Sequence, residues 1–286
     1  MPRATDHFHN RIAVAFDFDL TLAPDSLDAL LDRLDVDPEA FREERVHPLD
    51  DAGWDHSLAR CYALVQLSEE RGGVITEDLL HEVGADMGLY DGLPEAFGQV
   101  RDAAREIVED VEVEFYVLTA GYAEIVNGTA LSDVCQRIWG STFHYADDGR
   151  IDFPKRIVTY PEKVRYLMAL SKDMSVEGHD APADVWRDVP GDEIHVPIDQ
   201  MVYVGDGSSD LPAFNLMQDH GGIAIGITKD GEAAHWSHLE EMHGDRHVQN
   251  LAEADYTDGG ELLESLCRSV ESIAKLIALR KLGKGE

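Results

Sequence analysis

Four short apolar runs along the chain predict buried β-strands. They are rich in β-branched or aromatic residues and are bounded by polar or turn-forming segments. The runs cover residues 12–16, 113–118, 201–204 and 222–227. Between them, apolar residues at helical spacing predict helices over 94–110 and 159–172, the second opening on a capping box formed by Thr159 and Glu162. Strands that alternate with helices indicate an α/β fold, a doubly wound parallel sheet of the Rossmann-like kind.

The segment 22–90 interrupts this alternation, because it shows helical patterns without a strong strand. Leucines recur at helical spacing over 27–34, and further helices are predicted over 57–67 and 76–87. About 70 residues is too long for one crossover helix. We therefore predict a small helical cap domain over 22–90, inserted after the first strand, and a catalytic core formed by 1–21 and 91–286.

Two later segments have distinct compositions. Residues 175–200 are rich in Gly, Pro, Asp and His, which predicts an exposed loop. Residues 261–282 show the apolar stripe of an amphipathic helix that packs on the core. No internal repeat or low-complexity tract is found.

The charge balance is strongly acidic and bears on the partners of the protein. The 286 residues contain 57 Asp and Glu against 24 Lys and Arg, a formal net charge of −33, and only seven lysines. Such a surface repels nucleic acid and anionic membranes, so neither is an expected partner. An acidic, lysine-poor chain with an ordinary core is typical of adaptation to high salt, where cations screen self-repulsion. This interpretation predicts loss of structure in dilute buffer; the alternative is an ordinary acidic cytoplasmic protein.

The compartment is predicted from the cysteines and the chain start. Three cysteines lie far apart along the chain, which indicates free thiols in a reducing compartment. The first eleven residues have no apolar signal core, and no apolar run approaches the roughly 20 residues of a membrane-spanning helix. We therefore expect a cytoplasmic protein.

Candidate functional residues follow the predicted strands. They are Asp17, Asp19 and Thr21 after the first strand, Thr119, Ala120 and Gly121 after the second, and Asp206 and Asp210 after the third. The carboxyl ends of parallel strands meet at one edge of a sheet, so these residues are expected to share a site. Lys163 lies in the first turn of a predicted helix, where a cation costs roughly 0.3–1 kcal/mol against the helix dipole. This placement favours a nearby anion.

Each of these features has an ordinary structural explanation when taken alone. An Asp-x-Asp pair arises easily in a chain with many acids, and Thr-Ala-Gly or Gly-Asp-Gly is usually a turn or a helix cap. Thr21 and Asp210 in particular have simple turn capping as their alternative. The order of all four features at strand ends and helix starts is far more specific.

That order resembles the haloacid dehalogenase-like (HAD) hydrolase superfamily. The segments "DFDLT", "VLT", "PEKV" and "GDGSSD" are similar to its four motifs, and the insert matches a cap placed after the first motif. The resemblance covers the whole chain and is to the phosphoserine phosphatase-like branch. It implies a Mg²⁺-dependent phosphatase that acts on a small phosphorylated metabolite through an aspartyl-phosphate.

The resemblance also implies a role for each residue. Asp17 would be the nucleophile, Asp19 the general acid and base, and Lys163 the cation that neutralises the phosphoryl group. The groups that bind phosphate would be Thr119, Ala120, Gly121, Lys163 and Thr21. The candidate ligands of Mg²⁺ are Asp17, the carbonyl of Phe18, Asp19, Asp206 and Asp210. Leu20 departs from the family pattern, since many members have glycine there, and suggests a stiffer turn.

Related reactions are distinguished by single residues. Asp19 argues against dehalogenation, which needs no acid at that position, and the absence of lysine from 22–90 argues against phosphonate cleavage by a Schiff base. A phosphomutase stays open as an alternative, because insert arginines could clamp a second phosphate; the candidates are Arg33, Arg42, Arg45, Arg60 and Arg71. A phospho-acceptor signalling domain is a weaker alternative, since such domains need no 70-residue insert.

Overall fold

A seven-stranded sheet forms the centre of the protein, which the computed structural model describes over residues 9–178, 181–228 and 248–284. The strands are β1 (Arg11–Phe16), β2 (Glu112–Tyr122), β3 (Arg137–Tyr145), β4 (Ile151–Arg156), β5 (Met201–Gly205), β6 (Ile223–Thr228) and β7 (Asn250–Glu253). Their order is β4-β3-β2-β1-β5-β6-β7. Every neighbouring pair is parallel except β3 and β4. The predicted α/β class is therefore confirmed.

The predicted strands correspond to β1, β2, β5 and β6, while three strands were missed. β3 mixes apolar with polar and glycine residues, β4 contains Pro154, and β7 has only four residues, so none shows a continuous apolar run. β2 continues past the predicted end at 118 to Tyr122, and its register against β3 shifts there. This extension carries the predicted phosphate-binding segment.

Eleven α-helices surround the sheet within the described residues. They are α1 (Ser26–Arg33), α2 (Pro38–Phe41), α3 (His47–Asp51), α4 (His56–Glu70), α5 (Glu77–Asp86), α6 (Ala96–Arg105), α7 (Ala123–Gly128), α8 (Glu162–Ser171), α9 (Ala181–Asp184), α10 (Leu211–His220) and α11 (Glu261–Lys284). A π-helical turn, Arg42–Val46, joins α2 to α3.

Two helix boundaries differ from the predictions. The capping box at the start of α8 is wrong, because Pro161 occupies the N-cap and makes no side-chain cap bond. Thr159 contributes only its backbone carbonyl, which accepts from Glu162 N at 3.0 Å. α6 covers Ala96–Arg105 and is shorter than the predicted 94–110, because the chain turns before entering β2.

Each face of the sheet has its own hydrophobic core, since side chains alternate along buried strands. One core contains Val14 and Phe16 of β1 together with α6 and α11. Within it Phe97 stacks between two strand residues, with ring centroids 5.3 Å from Phe16 and 4.2 Å from Phe115. The other core contains Ala13 and Ala15 with α8 and α10. Burial on both faces explains why these strands are continuously apolar.

The segment 22–90 is helical, as predicted, and builds a third hydrophobic cluster together with parts of the α/β core. Its own contributions include Leu27, Leu30, Leu64 and Leu80, and the α/β core adds Tyr122, Ile125, Phe143 and Ile151. The boundaries 22 and 90 stay a prediction. The shared cluster packs the insert against the end of β2 and against α7, β3 and β4.

Glycines allow α5 of the insert to pack closely on α7 of the core. A Cβ atom added at Gly84 would lie 1.9 Å from the carbonyl oxygen of Ile125, and one added at Gly128 would lie 2.2 Å from that of His81. Any larger residue at either position would push the two helices apart, so the close contact depends on these glycines.

We expect Gly84→Ala to destabilise the protein by at least about 2 kcal/mol, because the overpacking cost exceeds the helix-propensity gain of about 1 kcal/mol. Gly98→Ala in α6 is the matched control, since nothing lies within 4 Å of its added Cβ. The control should gain up to about 1 kcal/mol. Denaturant unfolding measures both, and equal stability of the two variants would contradict the close packing of α5 on α7.

The segment 175–200 is mostly irregular, as predicted, but it is anchored to the core. Lys172 donates from Nζ to the carbonyls of Val185 and Arg187 at 2.6 and 2.7 Å. Cys61, Cys135 and Cys267 are free thiols. Among the described residues, no helix combines the length and apolar character needed to cross a membrane.

Candidate active site

Asp17 lies directly after β1, where the strand reaches the carboxyl edge of the sheet. Its backbone N–H donates to Val204 O at 2.8 Å, which continues the ladder to β5. The side chain is only 5% exposed, and its Oδ2 lies 3.0 Å from Lys163 Nζ. Burial raises the pKa of Asp17 well above its usual range, Lys163 opposes this rise, and nearby carboxylates add to it. The position therefore favours a further cation near the carboxylate.

Lys163 is the cation that this site holds in place. It lies in the first turn of α8, is fully buried, and joins Asp17 to Asp210, whose Oδ1 is 2.6 Å from Nζ. Burial lowers the pKa of Lys163, but the two carboxylates outweigh that effect and raise it above the usual value. The anion expected from the unfavourable helix position is therefore a pair of carboxylates.

Asp210 supports both Lys163 and the loop after β5. Its Oδ1 also accepts from Tyr203 Oη at 2.6 Å, and its Oδ2 accepts from the backbone N–H of Asp206 at 3.1 Å. A Cβ added at Gly205 would lie 2.3 Å from Asp210 Cγ, so glycine is required for this approach. With these bonds, Asp210 suits an outer supporting role better than direct coordination of a metal.

The carboxylates of three predicted ligands form a cluster suited to a hard cation. One oxygen from each of Asp17, Asp206 and Asp210 lies within 4.8 Å of the others. Asp17 and Asp210 are buried and Asp206 is half-buried. Carboxylate oxygens match the preference of Mg²⁺, which keeps several waters and uses few protein carboxylates. The residues present therefore fit Mg²⁺.

The carbonyl of Phe18, predicted to be a metal ligand, is occupied by hydrogen bonds within the turn, so its use as a ligand stays a prediction that this geometry does not favour. That oxygen accepts the backbone N–H groups of Leu22 at 2.8 Å, Thr21 at 3.1 Å and Ala23 at 3.3 Å, so it points into the turn. Among the described residues, no backbone group donates to the next carbonyl, that of Asp19. The carboxylate of Asp19 lies outside the three-residue cluster. Asp19 could therefore serve a metal through its backbone oxygen.

Asp19 faces the insert on the other side of the turn. Its Oδ1 accepts from Ser26 N at 2.7 Å, at the start of α1. Burial and the neighbouring Asp25 raise the pKa of Asp19 to about 6, although Arg60 acts in the opposite direction. Asp17 and Asp19 thus have different surroundings: Asp17 contacts Lys163 directly, whereas Asp19 contacts a backbone N–H. Different surroundings are what two carboxyl groups need for separate roles.

The turn after Asp19 is constrained by its backbone. Leu20 has φ +61°, in the left-handed region that favours glycine, and its N–H donates to Ala23 O at 2.7 Å. Thr21 is fully buried, and its carbonyl accepts from Tyr256 Oη at 2.9 Å. The Thr21 hydroxyl makes no hydrogen bond to a described residue. Thr21 holds the turn through its backbone, and a phosphate contact by its side chain stays a prediction.

Thr119, Ala120 and Gly121 lie in the last part of β2. Gly121 N donates to Thr119 Oγ1 at 2.8 Å, and Ser141 Oγ donates to Ala120 O at 3.1 Å. A Cβ added at Gly121 would lie 2.4 Å from Asp19 Oδ2 and 3.1 Å from Thr119 Oγ1. Glycine thus brings the second motif against the carboxyl group of the first.

Four of the five candidate clamp arginines are engaged elsewhere in the insert. Arg33 pairs with Glu82 and Asp86, Arg42 with Asp28 and Asp25, Arg45 with Glu70, and Arg71 donates to the carbonyl of Leu34. Arg60 differs, because its charge acts on Asp19 and Asp25 and its buried Nη2 has no hydrogen-bond partner among the described residues. Its guanidinium lies 5.9 Å from the centre of the Tyr122 ring.

Sequence reasoning missed several residues that the fold brings to this edge. They are Tyr203, Ser26 and Tyr122, and the special position of Arg60 among the arginines was not predicted. The only available signal for Tyr203 was a hydroxyl within an otherwise apolar strand. Nothing in the local pattern distinguished Ser26 or Tyr122, because their neighbours come from distant parts of the chain.

Known proteins resemble this chain in sequence and in fold. No protein-family model matches the sequence. An uncharacterised protein of Borreliella burgdorferi is 20% identical over 292 residues, covering 91% of this chain and 98% of that protein.

Solved structures give the fold. A HAD family hydrolase from Salmonella enterica serovar Typhi matches with a TM-score of 0.58 and 14% identity, over 91% of this chain and 71% of that chain. A phosphoserine phosphatase in its apo form matches with a TM-score of 0.53 and 13% identity, over 86% and 95%. A probable phosphoserine phosphatase from Vibrio cholerae matches at 0.54 and 14%, over 94% and 67%. The chain therefore has the fold of the HAD hydrolases, in the form shared with the phosphoserine phosphatases.

Proposed function

We propose that this protein is a Mg²⁺-dependent phosphatase that hydrolyses a small phosphorylated metabolite through an aspartyl-phosphate. The observation that carries the proposal is the pair of carboxyl groups on one turn, with Asp17 held by the buried Lys163 and Asp19 held apart by the N-terminus of α1. The HAD fold, shared with phosphoserine phosphatases, supports it.

Mg²⁺ would be held by Asp17 and Asp206, with Asp210 behind them, and would supply positive charge to the phosphoryl oxygens. Lys163 adds a fixed positive charge beside Asp17. Thr119 and the N–H group of Ala120 would offer hydrogen bonds to the same oxygens, whereas the N–H group of Gly121 donates to Thr119 Oγ1. These groups neutralise the substrate's charge, which would otherwise keep the carboxylate of Asp17 away.

In the first step, Asp17 Oδ attacks phosphorus, the bond from phosphorus to the ester oxygen breaks, and Asp19 donates its proton to that oxygen. The pKa of Asp19, raised to about 6 by burial and Asp25, suits this acid role near neutral pH. In the second step, water attacks the acyl-phosphate and gives its proton to Asp19. Inorganic phosphate leaves, and both carboxyl groups return to their starting states.

The insert covers the leaving group. Arg60 is the insert arginine whose charge reaches Asp19 and Asp25, and its Nη2 has no hydrogen-bond partner among the described residues. An anionic group on the leaving alcohol would satisfy this guanidinium. One such arginine suits a carboxylate or similar oxyanion. A mutase clamp for a second phosphate would draw on several of the five arginines, and the other four are committed to pairs within the insert.

The test is hydrolysis of a panel of phosphomonoesters, including p-nitrophenyl phosphate, with Mg²⁺ at high salt. We expect activity that EDTA abolishes and Mg²⁺ restores, and a rise in melting temperature on adding Mg²⁺. Asp206→Asn should lose both effects, because it removes a ligand of the cluster. The exposed Asp102→Asn is the matched control and should retain both. Inactivity of the parent protein on every ester would overturn the proposal.

A further inference from the structure

Tyr203 of β5 is a buried phenol in contact with the carboxylate cluster. Its Oη donates to Asp210 Oδ1 at 2.6 Å, and the residue is fully buried. The ring packs edge to face on that of Phe214 in α10, with the centroids 5.7 Å apart and the planes at 70°. Burial and the charge of Asp210 raise the pKa of Tyr203 well above its usual range, so the phenol keeps its proton and acts as a donor.

The same oxygen of Asp210 accepts a second hydrogen bond, from a cation. Lys163 Nζ lies 2.6 Å from Asp210 Oδ1 and 3.0 Å from Asp17 Oδ2. A continuous chain of buried contacts therefore runs from the phenol of Tyr203 through Asp210 and Lys163 to the proposed nucleophile. Within this chain two carboxylates compete for one ammonium group, and Asp210 has the shorter contact with it.

The other oxygen of Asp210 holds the loop after β5. Oδ2 accepts from the backbone N–H groups of Asp206 at 3.1 Å and Gly207 at 3.4 Å, and from Ser209 Oγ at 3.4 Å. Asp206 is a proposed ligand of Mg²⁺. The two oxygens therefore have different partners, the metal loop on Oδ2 and Lys163 on Oδ1. Because Tyr203 donates to Oδ1, its effect on Lys163 can be separated from metal binding.

We propose that Tyr203 is a positioning residue for Lys163 and keeps this cation available to Asp17 and the phosphoryl group. The inference rests on the proposed phosphatase function. A donor on Oδ1 offsets part of the negative charge of Asp210 and fixes the place of that oxygen. Asp210 then binds Lys163 less strongly, and more of the ammonium charge acts where the phosphoryl group arrives. Without the phenol, the ammonium group is drawn towards Asp210 and away from the reacting atoms.

Tyr203→Phe removes the hydroxyl and keeps the buried ring. We expect kcat/KM for p-nitrophenyl phosphate to fall at least about tenfold, because Lys163 then stabilises the transition state less. The inhibition constant of orthovanadate, a mimic of the phosphoryl group in transfer, should rise by a similar factor. The Mg²⁺ concentration for half-maximal activity should stay within about twofold of the parent value, because the Oδ2 bonds of Asp210 remain.

Tyr116→Phe is the matched control. Tyr116 is buried in the same hydrophobic core as Tyr203, and its Oη also donates to a carboxylate oxygen, Glu114 Oε2, at 2.7 Å. Glu114 also lies beside a cation, with Oε1 3.4 Å from Arg11 Nε. Both variants lose a phenol–carboxylate bond, so their melting temperatures should fall by similar amounts. Only Tyr203→Phe should lose activity, measured at a temperature at which both variants are folded.

Three results would overturn the inference while the parent hydrolyses p-nitrophenyl phosphate. They are a parent-like kcat/KM in Tyr203→Phe, an equal loss of kcat/KM in Tyr116→Phe, and a loss in Tyr203→Phe that excess Mg²⁺ restores. The last result would mean that the phenol acts on the metal loop and not on Lys163. Inactivity of the parent on every ester would instead overturn the phosphatase function itself.

Discussion

Asp17→Asn is expected to lower kcat at least about 10⁴-fold, because an amide cannot attack phosphorus and no other carboxylate occupies the same position. The change is isosteric, and it removes a buried charge whose pKa is raised chiefly by burial. The fold should therefore survive, and the loss should be specific to chemistry. Steady-state hydrolysis of p-nitrophenyl phosphate, together with a melting curve, measures both.

The proposed aspartyl-phosphate on Asp17 can be detected directly. Acid quenching during turnover of a phosphate-labelled ester should leave label on the peptide that contains Asp17, and Asp17→Asn should leave none. Asp37→Asn is the control, because residue 37 caps α2 through its side chain and asparagine caps a helix equally well. Its activity should stay within about twofold of the parent. Turnover by Asp17→Asn near the parent rate would exclude this residue as the nucleophile.

Lys163→Met is expected to reduce the free energy of unfolding by about 3–5 kcal/mol, because it leaves two buried carboxylates without their shared cation. Lys163 Nζ lies 3.0 Å from Asp17 Oδ2 and 2.6 Å from Asp210 Oδ1, and all three side chains are buried. Methionine keeps the length of the side chain, so lost packing contributes little. Denaturant unfolding in EDTA isolates this effect from any stabilisation by metal.

Lys275→Met is the matched control for this change. The Lys275 side chain is 62% exposed and pairs with Glu271 across one helical turn, an interaction worth about 0.5 kcal/mol or less. Its unfolding free energy should stay close to that of the parent. A Lys163→Met variant that unfolds within 1 kcal/mol of the parent would show that the carboxylates are neutralised in another way. Phosphatase activity should fall in Lys163→Met and persist in Lys275→Met.

Much of the architecture could be predicted because burial on both faces makes a parallel strand continuously apolar. That signal is local, so β1, β2, β5 and β6 were predictable. β4 gave no such signal, because an edge strand tolerates Pro154 and polar residues. The capping box at α8 failed for a related reason. Pro161 already occupies the N-cap, and the local spacing of Thr159 and Glu162 could not reveal that.

The sequence by itself determined which candidate functional residues follow each strand or begin a helix. Asp17 follows an apolar run and Lys163 lies in a first helical turn, and both positions can be read from neighbouring residues alone. Only the tertiary structure decided which atoms meet. It directed the Phe18 carbonyl into a tight turn, where three backbone N–H groups donate to it. Of the five candidate arginines in the insert, the fold also places Arg60 over the ring of Tyr122. Such choices depend on contacts between residues far apart in the chain, which no local pattern encodes.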